Sequence, residues 1–194
     1  MKITLCLLTK NEIIGCKHDV PLIKKNLFDE IYAIDAGSND GTVEYLESMN
    51  IPVFIQPKKG LNAACVYAFE KCSTDALIFF HPKGSISVSD TEKFRQYFEQ
   101  GYELIVASRN IKNGRNEEDN QFLKPRKWFV STLALISVTL FWRGRGTIIR
   151  DVLHGFRGVT QKGFVKINPV DLCWFTVKWN FGSHVIVHNW RPKP

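Results

Sequence analysis

The sequence predicts an α/β fold in which helices cover both faces of a mostly parallel central sheet. Three observations predict it. Strand-like and helix-like patterns alternate from the start of the chain to about residue 107. One strand candidate, Ala76–Phe80, is apolar throughout, the composition of a parallel strand covered on both faces. The third is residues 31–42, where a β-branched and aromatic run breaks into Asp35, Gly37, Ser38, Asn39, Asp40 and Gly41 and then opens a helix. Such a turn lies at the carboxyl edge of the sheet, where ligands bind in open α/β folds. Asp35 there can accept hydrogen bonds from a ribose or a base edge, and Gly37 lets the backbone approach a ligand closely.

Residues 2–8 read as the first strand, followed by the polar turn Thr9, Lys10, Asn11, Glu12. A helix is expected around residues 20–26. The helix that begins at Thr42 puts Val43 and Leu46 on one side and Glu44 and Glu47 on the other. Residues 51–55 form a third strand, and residues 60–72 a helix with Leu61, Ala64, Val66, Ala68 and Phe69. After Ala76–Phe80, Ser89 or Asp90 can cap a helix that reaches Gln100, its apolar face built from Phe94, Tyr97 and Phe98. Residues 104–107 are a further buried strand. Right-handed crossovers join these parallel strands.

The chain has 194 residues, 44% of them hydrophobic, enough for a single domain spanning residues 1–194. Its net charge of +7 suits a partner that carries phosphates: a nucleotide, a nucleic acid or an anionic membrane. No aromatic-basic RNA-binding motif or helix-turn-helix pattern accompanies that charge, so nucleic acid is set aside. The five cysteines are odd in number and show no C-x-x-C spacing, which reads as reduced, mostly buried thiols and a cytoplasmic protein. The N-terminus lacks the layout of a signal peptide, and no uncharged apolar run reaches the roughly 20 residues of a membrane span.

Residues 112–121 are polar and mixed in charge, the composition of a loop near a site. Residues 122–145 hold an apolar, uncharged run from Trp128 to Trp142 between basic flanks: Lys124, Arg126 and Lys127 before it, Arg143 and Arg145 after it. Terminal Trp and basic residues suit a helix lying in a membrane interface. A buried core helix fits equally well. Ser131, Thr132, Ser137 and Thr139 form no clean polar face, which argues mildly against a simple surface amphipath.

Together, Thr9, Asn11 and Glu12 in one turn and the run from Asp35 to Thr42 in the next resemble the start of the family-2 glycosyltransferases. Their first strand runs into (S/T)-x-N-E and their second into D-x-G-S-x-D-G-T. The resemblance implies the GT-A fold, a Rossmann-like three-layer sandwich. It also implies a nucleotide-sugar site, with Thr9, Asn11, Glu12 and Asp35 around the nucleoside and Gly37 and Ser38 beside them. Within that family the sequence is most similar to the dolichyl- and polyprenyl-phosphate sugar transferases. Ala107, Ser108 and Arg109 stand where the family has G-S-R, and Arg126 and Lys127 where it has a basic pair. The run from Asp151 to Arg157 stands where it has D-x-x-S-G-F-R, with His154 at the position of its small residue. By position, Arg109, Arg126, Lys127, Ser131 and Arg157 would hold the phosphate of a lipid acceptor, a role suited to bidentate guanidinium groups.

One departure bears on the chemistry. Where the family has two carboxylates that hold Mg²⁺ or Mn²⁺, this chain reads His81, Pro82, Lys83. A hard divalent ion is poorly served by that pair, and a metal retained there would have His81 and Ser85 to bind it. The expectation is therefore no certain metal, with Lys83 neutralising the diphosphate directly. Asp151 is a candidate base or positioning group. A lipid phosphate needs no base, because it is already an anion.

The resemblance thus implies an inverting transferase moving a sugar from a UDP- or GDP-sugar to a polyprenyl phosphate, peripheral to the cytoplasmic membrane face. Transfer to a glycan hydroxyl and nucleotide-sugar binding without catalysis are the alternatives. The family's R-x-x-G-x-S-K acceptor loop is missing after residue 185. Either the whole protein continues past residue 194, or an oligomeric copy or partner membrane protein completes the acceptor site.

Overall fold

The computed structural model describes residues 1–108, 129, 132, 155–166 and 185–189. Strands β1 (Ile3–Thr9), β2 (Glu30–Asp35), β3 (Val53–Ile55), β4 (Ala76–Phe80), β5 (Leu104–Ser108), β6 (Arg157–Thr160) and β7 (Val185–Asn189) form one sheet. Their order is β3-β2-β1-β4-β6-β5-β7. All pairings are parallel except those of β6, which runs antiparallel between β4 and β5. The mostly parallel α/β sheet predicted from the alternating pattern is the one observed.

Pleat alternation sorts β1 into two cores. Ile3, Leu5 and Leu7 face one side, where Cys16 of α1 (Ile13–Asp19), Leu46 of α2 (Thr42–Ser48) and Phe94 and Phe98 of α4 (Asp90–Glu99) close over them. Cys6 and Leu8 face the other side, under Ala64, Cys65, Ala68 and Phe69 of α3 (Leu61–Lys71). Phe164 of α5 (Gln161–Lys166) stacks on Phe69 with ring centroids 3.7 Å apart. Helices therefore cover both faces, and β4 is buried along its whole length.

Two details differ from expectation. The first helix covers Ile13–Asp19, and residues 20–26 are not α-helical. Two 3-10 turns, Val20–Leu22 and Lys25–Leu27, stand there instead, with Ile23 and Lys24 between them. Pro21 sits at the start of the first turn, where its missing N–H costs nothing, and Ile23 turns extended and ends it. At α4, Ser89 holds the capping position without making a capping bond, since its hydroxyl pairs with Ser87 at 2.8 Å. Asp90 is already the first residue of the helix and pairs with Lys93 at 2.6 Å.

Candidate active site

β1 and β2 end side by side, with Thr9 opposite Asp35 in the register. The turns that follow them are tied together by their own side chains. Thr9 donates its hydroxyl to Asp35 Oδ2 at 2.8 Å. Asn11, at φ 53°, receives the Asn39 N–H on Oδ1 at 2.9 Å and donates its own N–H to Ser38 Oγ at 2.8 Å. The Glu12 N–H reaches Thr42 Oγ1, and the Ile13 N–H reaches Asp40 Oδ2. Gly37 has φ 84°, a left-handed conformation that costs glycine nothing.

Asp35 is the centre of this lattice and is fully buried. Oδ1 accepts the N–H groups of Gly37 and Ser38, while Oδ2 accepts the hydroxyls of Thr9 and Ser38. Its carboxylate thus has four protein donors. Asn11, Asp35, Gly37 and Ser38 hold the two turns in place, but none of them lines the cleft between the turns. The Asp35 carboxylate is taken up by protein donors rather than offered to a ribose or base edge as the sequence suggested.

The turn after β4 is equally constrained. The Lys83 N–H bonds to the His81 carbonyl at 2.9 Å, and Gly84 adopts φ 71°. Asp19, buried at the end of α1, accepts the Gly84 N–H on Oδ2 at 2.8 Å and pairs with His18 through Oδ1 at 2.7 Å. Two glycines let the neighbouring backbones press in. A Cβ at Gly15 of α1 would overlap the Pro82 carbonyl oxygen, and one at Gly155 would stand 2.5 Å from His81 Nε2. The His81-Pro82-Lys83 turn is clamped from both sides.

Between these turns, at the carboxyl edge of β1, β2 and β4, lies an open cleft of about 320 Å³. It brings together Thr9, Glu12, His81 and Lys83 from the sequence-predicted set. Lys83 Nζ stands 3.4 Å from Glu12 Oε1, and both side chains reach solvent. Sequence reasoning missed Lys10, Gln56, Lys59 and Gly60, which also line the cleft. The signal for the last two was the basic-glycine run at residues 58–60, just ahead of a helix.

Arg157 does not line the cleft; it is buried at the start of β6, opposite Phe79 of β4 and Val106 of β5. Arg109, Arg126, Lys127, Ser131 and Asp151 lie outside the described residues, as does the loop at 112–121. In the segment at 122–145 only Phe129 and Thr132 are described, both helical and exposed. Among the described residues, no helix is long and apolar enough to cross a membrane.

The described residues that line the cleft offer a divalent cation a single carboxylate. Among the described residues no three His, Cys, Asp or Glu side chains converge. That carboxylate, Glu12, already faces an ammonium, which would repel a dication at the same oxygens.

A sheet of this order, with a lysine-bearing cleft across the ends of β1, β2 and β4, defines the class: an α/β protein of the GT-A fold. The chain belongs to glycosyl transferase family 2, whose model matches residues 17–167. It is a glycosyltransferase. Solved structures of glucosyl-3-phosphoglycerate synthase from Mycobacterium tuberculosis share the fold. The complex with Mn²⁺, UDP-glucose and phosphoglyceric acid superposes with a TM-score of 0.65 at 13% identity, covering 100% of this chain and 72% of the synthase. The complex with Mn²⁺, UDP and phosphoglyceric acid gives 0.66 at 12% identity, with 100% and 71% covered. The complex with Mg²⁺ and UDP gives 0.61 at 13%, with 100% and 72% covered. No curated protein sequence matches the chain.

Proposed function

We propose that this chain moves a sugar from a UDP- or GDP-sugar to a polyprenyl phosphate at the cytoplasmic face of a membrane. The observation that carries the donor half is the cleft itself: it lies on the ligand-binding edge of a family-2 sheet and is lined by Thr9, Glu12, Lys10, Lys59 and Lys83. The nucleoside would lie against the turns after β1 and β2, and the diphosphate toward the turn after β4. The UDP-glucose held by the synthase of the same fold supports a nucleotide-sugar donor.

The acceptor half rests on the sequence. Arg109, Arg126, Lys127 and Ser131 match positions that hold a lipid phosphate in the polyprenyl-phosphate transferases, and the net charge of +7 suits an anionic surface. Chemically the step is a displacement. An oxygen of the acceptor phosphate bonds to the anomeric carbon as the bond from that carbon to the diphosphate oxygen breaks, and the configuration inverts. The attacking oxygen is already anionic, so no general base is required and Asp151 would position the reactants. The nucleoside diphosphate leaves with the bonding electrons.

The test is transfer from radiolabelled UDP-glucose and GDP-mannose to a short polyprenyl phosphate in anionic vesicles. Label in the lipid phase supports the proposal, and sedimentation of the chain with those vesicles supports the peripheral location. Label appearing only on an added glycan or on phosphoglycerate would overturn the lipid acceptor. Nucleotide binding with no transfer to any acceptor would favour a non-catalytic module, a reading motivated by His81-Pro82-Lys83.

A further inference from the structure

We infer that the donor site works without a metal ion, and that the Lys83 ammonium takes the diphosphate that a dication would otherwise hold. The inference deepens the donor half of the reading above and rests on it. Four observations carry it.

The first is charge. Among the described residues the cleft is lined by three lysines (Lys10, Lys59 and Lys83) and one carboxylate (Glu12), a surface complementary to a nucleoside diphosphate. The second is placement. Lys83 follows β4 by three residues, on the edge where β1 and β2 also end, and lines the cleft with His81. The third is construction. A turn that had merely lost its carboxylates would not need its neighbours shaped around it. Here Gly15 and Gly155 are each positions where a side chain would strike that turn, and the buried Asp19 holds the Gly84 N–H.

The fourth is how loosely Lys83 is held. Its Glu12 partner stands 3.4 Å away and is partly exposed, so the pair contributes little to folding. Lys83 can therefore turn from Glu12 to a phosphate oxygen at small cost. Glu12 keeps the ammonium over the cleft before the donor arrives. A lysine binds phosphate as a compact point charge with rotatable donors, and it stabilises the charge that grows on the leaving diphosphate.

The experiment is calorimetric titration of the full chain with UDP, GDP, ADP, CDP and dTDP, and with the corresponding nucleosides, in EDTA and in Mn²⁺. The expected result is a diphosphate affinity that is the same in both buffers. Lys83→Ala should lower that affinity by about tenfold or more, the effect of a lost charge-assisted contact, while leaving nucleoside affinity unchanged. Lys83→Arg should restore much of it. The double variant His81→Asp with Lys83→Asp should bind diphosphate only when Mn²⁺ is present. Wild-type affinity that vanishes in EDTA and returns with Mn²⁺ would overturn the inference, as would an unchanged affinity in Lys83→Ala. Lys83 is exposed, so its removal should leave the melting curve in place. If none of the five diphosphates binds, the donor reading itself falls and takes this inference with it.

Discussion

Thr9 and Asp35 face each other as the last register pair of β1 and β2, joined by a 2.8 Å hydrogen bond from hydroxyl to carboxylate. The two turns that frame the donor cleft therefore start from one buried polar contact.

Asp35→Ala should destabilise the fold as well as the site, because it strands the N–H groups of Gly37 and Ser38 and the hydroxyls of Thr9 and Ser38. The expected loss is about 2–4 kcal/mol in urea unfolding, with Asp35→Asn milder because hydroxyls can rotate to accept from an amide. A loss below about 0.5 kcal/mol, the scale of an ordinary surface change, would remove Asp35 from the centre of the frame.

Gly15 sits inside α1, where Gly→Ala would ordinarily stabilise a helix by about 1 kcal/mol. Here the sign should reverse. The added Cβ meets the Pro82 backbone, which has no flexible end to give way, so Gly15→Ala should cost about 1–3 kcal/mol. Thermal melts of the variant and wild type decide it, and a raised melting temperature would show that the turn after β4 is not clamped by α1.

Gly155→Ala makes a different demand, because its Cβ would meet the half-buried ring of His81 rather than backbone. A side-chain ring can shift where backbone cannot, at the cost of its present place in the cleft. Nucleotide affinity should therefore fall more than stability does, a split read by titration calorimetry against thermal melting. A variant that loses stability and keeps its affinity would separate His81 from the donor site.

Alkaline pH should loosen the fold. Burial pushes the Cys65 thiol up to about 12; burial, with Glu12 next, does the same to Cys16. Burial also raises the Tyr32 phenol, whose hydroxyl bonds to the Ala68 carbonyl at 2.6 Å. A folded-state pKa above the unfolded one holds its full stabilisation below the unfolded value, near 9 for these thiols, and loses it as pH rises toward 12. Each thiol contributes a slope of up to about 1.4 kcal/mol per pH unit in that window. Urea unfolding from pH 8 to 10.5 should show the decline, and Cys65→Ala should flatten it. Parallel slopes for variant and wild type would contradict the assignment.

The acid side has the opposite sign. The Thr42 hydroxyl pulls Asp40 below the usual carboxylate range, and the Ile3 N–H does the same for Asp29. Their stabilisation is present above about pH 4 and fades as pH falls through the lowered values. Asp40→Asn should therefore be weaker than wild type at pH 7 and converge with it near pH 2. A constant gap across that range would mean that the charge of Asp40 contributes nothing.

Much of the fold was legible because it rests on local patterns. The apolar run at Ala76–Phe80 announced a doubly covered strand, and the Asp-Gly-Ser turn after β2 announced the ligand edge. The helix expected at residues 20–26 was misplaced because apolar residues there serve 3-10 turns around Pro21, while α1 begins just after the Glu12 turn. The strand at Arg157–Thr160 was hidden for another reason. A four-residue strand containing Gly158 has almost no periodicity, and its place depends on partners far away in sequence. In the site, Lys83 and His81 were visible as departures from a motif and Lys59 left a trace in the basic-glycine run at 58–60, but only tertiary folding brings Lys10 and Lys59 to one cleft.

The position of β6 also sets an order of assembly. β1 to β4 pair in succession as parallel neighbours, so that half of the sheet can close as soon as its residues exist. β5 pairs with β6 and β7 and touches neither β1 nor β4 in the ladder. Among the described strands, the outer edge of β4 therefore finds its partner only when Arg157–Thr160 emerge from the ribosome, and β5 finds none before them. An open edge on so apolar a strand is a template for pairing with other chains. A nascent chain stalled in that interval should be the form of this protein most prone to pair with its neighbours.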